Sequence, residues 1–191
     1  NTTGPVTFSS ALGVAGANEL NGITLAANST TIFDSTVDAD TLSASGAATF
    51  RGAVILDETF TTGANSTITL GSAFVAGTTV ITSVGSEGTL NQTADTVTLN
   101  MDPTFSTGTL TLVNDTNALD ATDAASFNVN DTALVNYTVA AGNSNVEVTA
   151  VKNSAAVIAG TLGVSQSAAT SLDAGVTAAA GDATVSQAYS T

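Results

Sequence analysis

Cysteine, histidine and tryptophan are absent from this sequence, and only Arg51 and Lys152 carry positive side chains. Without cysteine there is no disulfide framework and no thiolate chemistry, so an oxidising compartment is allowed but not required. Without histidine or cysteine, no Ser/His or Cys/His pair can activate a nucleophile. Carboxylate pairs are the only acid/base equipment left. Sixteen carboxylates against two cations give a net charge of −14 at pH 7, which repels phosphate backbones and anionic lipid head groups. No nucleic-acid partner is expected. Charged residues make up only 9% of the chain, against about 25% in an ordinary soluble domain. Long apolar runs are missing too: nothing approaches the roughly 18 residues of a membrane helix, and no membrane insertion of this segment is expected. Asn1 opens the chain without a Met or a charged leader, which reads as a mature protein whose export signal has been removed.

What is present is apolar material in small pieces. Apolar residues form 43% of the 191, enough for a folded core rather than disorder despite the charge. They fall in short β-branched or aromatic clusters such as Val6 to Phe8, Ile23 to Leu25, Thr31 to Phe33, Thr49 to Phe50 and Val54 to Leu56. Thr, Ser, Asn, Asp and Gly fill the gaps, so the clusters read as strands between turns.

The first third aligns with itself in three lanes. Thr24, Leu42 and Phe60 are spaced 18 and 18; Phe33, Phe50 and Ile68 are spaced 17 and 18; Val37, Val54 and Phe74 are spaced 17 and 20. Three short strands in a period of 17 to 20 residues fit one coil of a three-sided parallel β-helix, each coil stacking at about 4.8 Å on the next. An antiparallel sandwich is the alternative, and the near absence of Asn-Gly turns apart from Asn21-Gly22 weighs against it. The repeat continues less regularly through Thr78 to Ser83, Thr89 to Gln92, Thr96 to Asn100 and Thr109 to Val113, with Pro103 between strands.

From Ala118 the strands lengthen, at Ser126 to Val129, Leu134 to Val139 and Asn145 to Val151. Val146, Val148 and Ala150 alternate as in a capping hairpin or meander with one solvated face. After Asn153 the chain turns Ala-rich, and Ser154 and Ser165 are placed to N-cap short helices in a helical or weakly ordered tail. Three regions are expected: solenoid coils over 1–117, a cap over 118–152 and a tail over 153–191.

Stretches of this text resemble a known family. "GTLTLVNDTNALDATDAASFNVNDTALVNYTVAAGNSNVEVTAVKNSAA", Gly108 to Ala156, is similar to the final stack of autotransporter passenger domains, just before the translocating barrel. The upstream "TLSASGAATFRGAVILDETFTTGANSTITLGSAFVAGTTVIT" looks like that family's degenerate β-helical repeats, and "AAVIAGTLGVSQSAATSLDAGVTAAAGDA" like its linker to the barrel. The resemblance implies an all-β, right-handed parallel β-helix exported through the outer membrane to a bacterial cell surface or beyond. It also implies that Ala118 to Val151 is an autochaperone-like cap. The sequence departs from the full architecture in having no barrel strands, as a released or cleaved passenger would.

The functional expectation is an extracellular structural protein, not an enzyme, with a rigid polar surface and the capacity to self-associate into filaments or matrix. An open stack end is a template for another subunit's strand, and Val6, Thr7 and Phe8 are the candidate assembly residues. An adhesin for host or neighbouring-cell glycans is the second reading. A polysaccharide lyase or hydrolase on a β-helix is the third, although it would want basic residues beside its carboxylates, and Arg51 alone cannot supply them. No cofactor is assigned. Asp34, Asp38 and Asp40 are candidates for a structural Ca2+, with Asp57 and Glu58 one coil later, since clustered carboxylates suit that hard cation. Acidic turns more commonly just keep a surface soluble, and no EF-hand or Gly-Gly-x-Gly-x-Asp repeat is present. The Asn-x-Ser/Thr triplets at Asn1, Asn28, Asn65, Asn91, Asn114, Asn130 and Asn136 follow from composition, and Gly13 to Gly16 is a turn, not a phosphate cradle.

Overall fold

Runs of three to five β-branched or aromatic residues are too short to hold together as isolated hairpins, so each must find neighbours far away in the chain. The computed structural model describes residues 4–14, 19–63, 65–83, 90–92, 97–102 and 104–179, with backbone alone for 90–92 and 176–179. Asn1, Ala15, Gly16, Thr89, Thr96 and Pro103 lie outside the described residues.

The chain passes through β1 (Val6–Phe8), β2 (Ile23–Leu25), β3 (Thr30–Phe33), β4 (Val37–Ala39), β5 (Leu42–Ala44), β6 (Ala47–Phe50), β7 (Val54–Leu56) and β8 (Phe60–Thr62). It continues through β9 (Thr67–Leu70), β10 (Thr79–Ser83), β11 (Leu90–Gln92), β12 (Val97–Asn100) and β13 (Gly108–Asn114). Then come α1 (Ala121–Ala125), β14 (Phe127–Val129), β15 (Val135–Ala141), β16 (Asn145–Lys152), α2 (Ala155–Leu162) and α3 (Gln166–Ala179). The fold is mostly β, with its strands in three sheets. The first is ordered β1-β3-β6-β9-β12-β14, the second β15-β16-β13-β10-β7-β4 and the third β11-β8-β5-β2. From β2 to β13 the chain visits the third, first and second sheets in rotation. Every pairing is parallel except those of β16 with β13 and with β15.

Stacking of successive strands puts like residues beside like. Val37 lies beside Val54, Val54 beside Ile81, Ile81 beside Val113 and Val113 beside Val146, and none of the five is more than 1% exposed. In the first sheet Phe8, Phe33 and Phe50 stack with ring centroids 5.5 Å apart at each step. Burying a side chain of this size contributes about 1.5–3 kcal/mol, and these lanes form one continuous core.

The observed register corrects three of the lane assignments. Leu42 pairs with Ile23, while Thr24 is exposed beside Ser43. A slip of one residue would have turned the hydroxyl inward and the isoleucine outward. Phe50 pairs with Leu70, and Ile68 with Ala48. Val54 pairs with Ile81 and not with Phe74, because Gly71–Thr78 intervenes as a loop from which Phe74 is tucked into the core. The short period therefore covers only part of the stack. Phe33 and Phe50 are 17 residues apart and Ala48 and Ile68 are 20, but Ile68 and Leu99 are 31 and Ile81 and Val113 are 32.

Beyond β13 the geometry changes. The β15–β16 hairpin lies antiparallel on β13, and Val146, Val148 and Ala150 point into the core. The helix α1 is not foreseen in the sequence reading; Asp120 caps it and Asp123 closes a capping box. The Ala-rich stretch is helical: the Ser154 side chain accepts from the Val157 N–H and Ser165 from that of Ala168. Among the described residues no helix is long and apolar enough to cross a membrane.

Candidate functional site

Val37 and Ala39 of β4 point into the core, so strand alternation sends Asp38 to the outer face of the second sheet. Even so, Asp38 is only 6% exposed. Its cover comes from the N-terminal segment. Leu12 bridges to Val37 and Leu20 to Ala39, and their backbone groups bond to Thr36, Asp38 and Asp40 along the otherwise open edge of β4. Leu12 and Leu20 thus take what would be successive inward positions of one strand, and Gly13 sits directly against Asp38. With φ at +75°, in the region glycine favours, Gly13 can pass close to β4; a Cβ there would collide with the Asp38 carbonyl oxygen.

The same crossing brings Glu19 to the ends of β4 and β7. The Asp57 N–H donates to the Ala39 carbonyl at 3.1 Å and that of Glu58 to the Asp40 carbonyl at 2.8 Å, extending the ladder past both strands. Glu19, Asp40 and Asp57 each offer a carboxylate oxygen within 4.8 Å of the others, all three half-buried. Burial, and then the charge of Asp57, hold the Asp38 carboxyl above the usual carboxylate range.

Of the acidic residues expected to gather, Asp40 and Asp57 do so, and Asp38 only feels the charge of Asp57. Asp34 does not gather: it turns to Arg51, whose Nη1 lies 2.7 Å from its Oδ1. Arg51 thus ties two successive turns together at the lane end. Glu58 is exposed at the turn. Glu19 is missed by sequence reasoning, since it lies 21 residues before Asp40 and only the bridge at Leu20 brings it there. Lys152 pairs with Asp173 at 2.6 Å, so both side-chain cations of the chain are engaged away from the Glu19–Asp40–Asp57 cluster.

Two further surfaces bear on function. At one edge of the first sheet, among the described residues, β1 pairs with β3 on one side only. Val6 is 50% exposed, Thr7 is exposed and Phe8 is half-buried at the end of the phenylalanine stack. The Phe8 carbonyl accepts from the Asp34 N–H at 2.9 Å. Alternation along a strand therefore turns the N–H and C=O of Thr7 to the open side. Along the corner between the third and first sheets runs a shallow groove of about 420 Å³, lined by Asn28, Ser29, Thr30, Ser45, Asn65 and Thr67 among others. It exists because the Ser45-Gly46 corner is shorter than those on either side. A Cβ on Gly46 would sit 2.5 Å from the Ala26 carbonyl oxygen.

Comparison with protein-family models, with curated proteins and with solved structures finds no match to this chain.

Proposed function

We propose that this chain is a right-handed parallel β-helix of the autotransporter-passenger type, an exported structural protein of the cell surface that stacks end to end into filaments. In this reading the coils extend over 1–117, residues 118–152 form an autochaperone-like cap and 153–191 lead away from it. The observation that carries the reading is the open edge of β1. Its inward residues, Val6 and Phe8, continue the lanes of Thr31 and Phe33, and the sheet is parallel throughout, with β14 at its other edge. A second copy docking its β14 on β1 would set Phe127 and Val129 in the same inward rows. That contact would cover Val6 and complete the aromatic stack without changing strand direction. A head-to-tail contact of this kind does not close, so it propagates.

The test uses Thr7→Pro, which removes an N–H facing the open edge and leaves the β1–β3 ladder intact, because proline is tolerated on an edge strand. Wild-type protein concentrated and viewed by negative-stain electron microscopy should form filaments, and Thr7→Pro should stay monomeric in sedimentation with an unchanged circular dichroism spectrum. Monomers alone for the wild type at high concentration would sink the reading. The polar groove at Asn28 and Asn65 favours a second reading, an adhesin. In that case the monomeric Thr7→Pro protein would retain binding on a glycan array, and Ser45→Trp, which fills the groove, would abolish it.

A further inference from the structure

We propose that the outer face of the first sheet is an ice-binding surface, its ligand the ordered water at the face of an ice crystal. The strands β3, β6, β9 and β12 are four residues long, so each sends two side chains outward. In register these make two columns: Thr30, Ala47, Thr67 and Thr98 in one, Ile32, Thr49, Thr69 and Asn100 in the other. All are exposed or half-buried. The third sheet, with strands of three residues, offers a single column, beginning Thr24, Ser43 and Thr61.

Threonine is common on strand faces, so its abundance alone would mean little. Charge is the independent observation. The chain carries −14, and the outer face of the second sheet holds Asp38 and Glu147, yet among the described residues no outward position of the first sheet is charged. Docking on a neutral solid strips mobile water from a surface, which is costly for a carboxylate and far less so for a hydroxyl or a methyl group. A charge-free face on so acidic a chain is complementary to a neutral lattice.

Spacing then selects the ligand. Neighbours within a column lie about 4.8 Å apart, and the two columns about 6.6 Å apart, twice the rise of a parallel strand. The prism face of hexagonal ice presents oxygen atoms in a rectangular net whose short repeat is within a few tenths of an ångström of the first spacing and whose long repeat is slightly longer than the second. Twist would spoil the match over several strands. Beneath this face the rings of Phe8, Phe33 and Phe50 turn by only 11° at each step, against about 20–25° between strands of an open sheet, and side-chain ladders of this kind hold a sheet flat. The branched threonine side chain is restricted at χ1, so its hydroxyl is held ready to bond a lattice water with the methyl group seated beside it. No aromatic ring stands among these positions, so the face lacks the platform on which the sugars of a crystalline polysaccharide would stack. End-to-end stacking on β1 would lengthen the columns without covering them, and the proposal stands apart from the filament reading.

Nanolitre cryoscopy of the full chain tests it. The wild type should shape ice crystals into facets and open a gap between their melting and freezing temperatures. Thr49→Tyr and Thr98→Tyr, one in each column, should abolish the gap while leaving Tm and the circular dichroism spectrum unchanged, and Thr61→Tyr on the third sheet should leave the gap intact. Ala47→Thr completes its column with a residue favoured in strands and should widen the gap, a gain that misfolding cannot produce. The proposal is overturned if wild-type melting and freezing temperatures coincide on round crystals, if the folded tyrosine variants at Thr49 and Thr98 retain the gap, or if Thr61→Tyr abolishes it as well. Should a tyrosine variant fail to fold, Ala47→Thr decides, and an unchanged or narrower gap overturns the proposal. Retention of the wild type on crystalline cellulose without any shaping of ice would assign the face to a polysaccharide and would equally overturn it.

Discussion

Tyr137 is the residue whose chemistry is tied most directly to the fold. Its hydroxyl donates to the buried carbonyl of Phe105 at 3.0 Å, and the two rings stack with centroids 6.4 Å apart. Burial, followed by the charges of Asp102 and Asp131, pushes the phenol up from 10.0 to about 12. The folded chain therefore holds this proton more tightly than the unfolded chain does. The resulting stability is fully present below pH 10 and is lost as the pH rises toward 12. Tyr137→Phe should cost about 1–3 kcal/mol at neutral pH, because the Phe105 carbonyl is left buried without its donor. It should also flatten the alkaline fall in stability, as read from urea unfolding at a series of pH values. A wild-type curve that is flat over that interval would show that the phenol does not govern it. Asp120 works with the opposite sign. The backbone N–H groups of Thr122 and Asp123 lower its pKa, so its capping of α1 is secure above the ordinary carboxylate range and loosens as the pH falls through its depressed value.

At the scale of elements, the first sheet ranks its own members by position. Phe33 lies between Phe8 and Phe50, and Phe50 between Phe33 and Leu70, both fully buried, whereas among the described residues Phe8 has a stacked neighbour on one side only. Phe33→Ala and Phe50→Ala should each cost about 3–5 kcal/mol by opening a cavity between flanking turns. Phe8→Ala should cost clearly less, measured by chemical unfolding of the monomer; equal costs for all three would mean that β1 is already covered. The pair Phe33 and Phe50 was legible in the sequence, as were Val37 with Val54 and Leu42 with Phe60, because their corners keep nearly constant length. Counting a period cannot detect a corner that gains one residue, which is why Thr24 was aligned where Ile23 belongs. Nor can it anticipate a loop such as Gly71–Thr78 that removes Phe74 from its lane. The cap of α1 was readable in principle, since Asp120 and Asp123 have the spacing of a capping box. The acidic cluster was legible for Asp40 and Asp57, which follow the strand repeat. It was illegible for Glu19, whose place depends on an edge bridge with no periodic signature.

At the scale of the whole molecule, the charge balance determines how end-to-end stacking should respond to salt. Each copy carries −14, so two approaching copies repel at any orientation, and that repulsion reaches about 30 Å at 0.01 M salt but only about 10 Å at 0.1 M. Salt commonly weakens protein association by screening ion pairs across the contact. Here Arg51 and Lys152 are both committed within the chain, which leaves no side-chain cation to bridge one copy to the next. The attraction must come from strand pairing and from burial of Val6 and Phe8, neither of which salt screens. Raising NaCl from about 0.01 to about 0.1 M should therefore lower the critical concentration for filament growth, followed by light scattering and pelleting. Dissolution of filaments over the same interval would place ion pairs at the contact and would contradict an interface built on the open edge of β1.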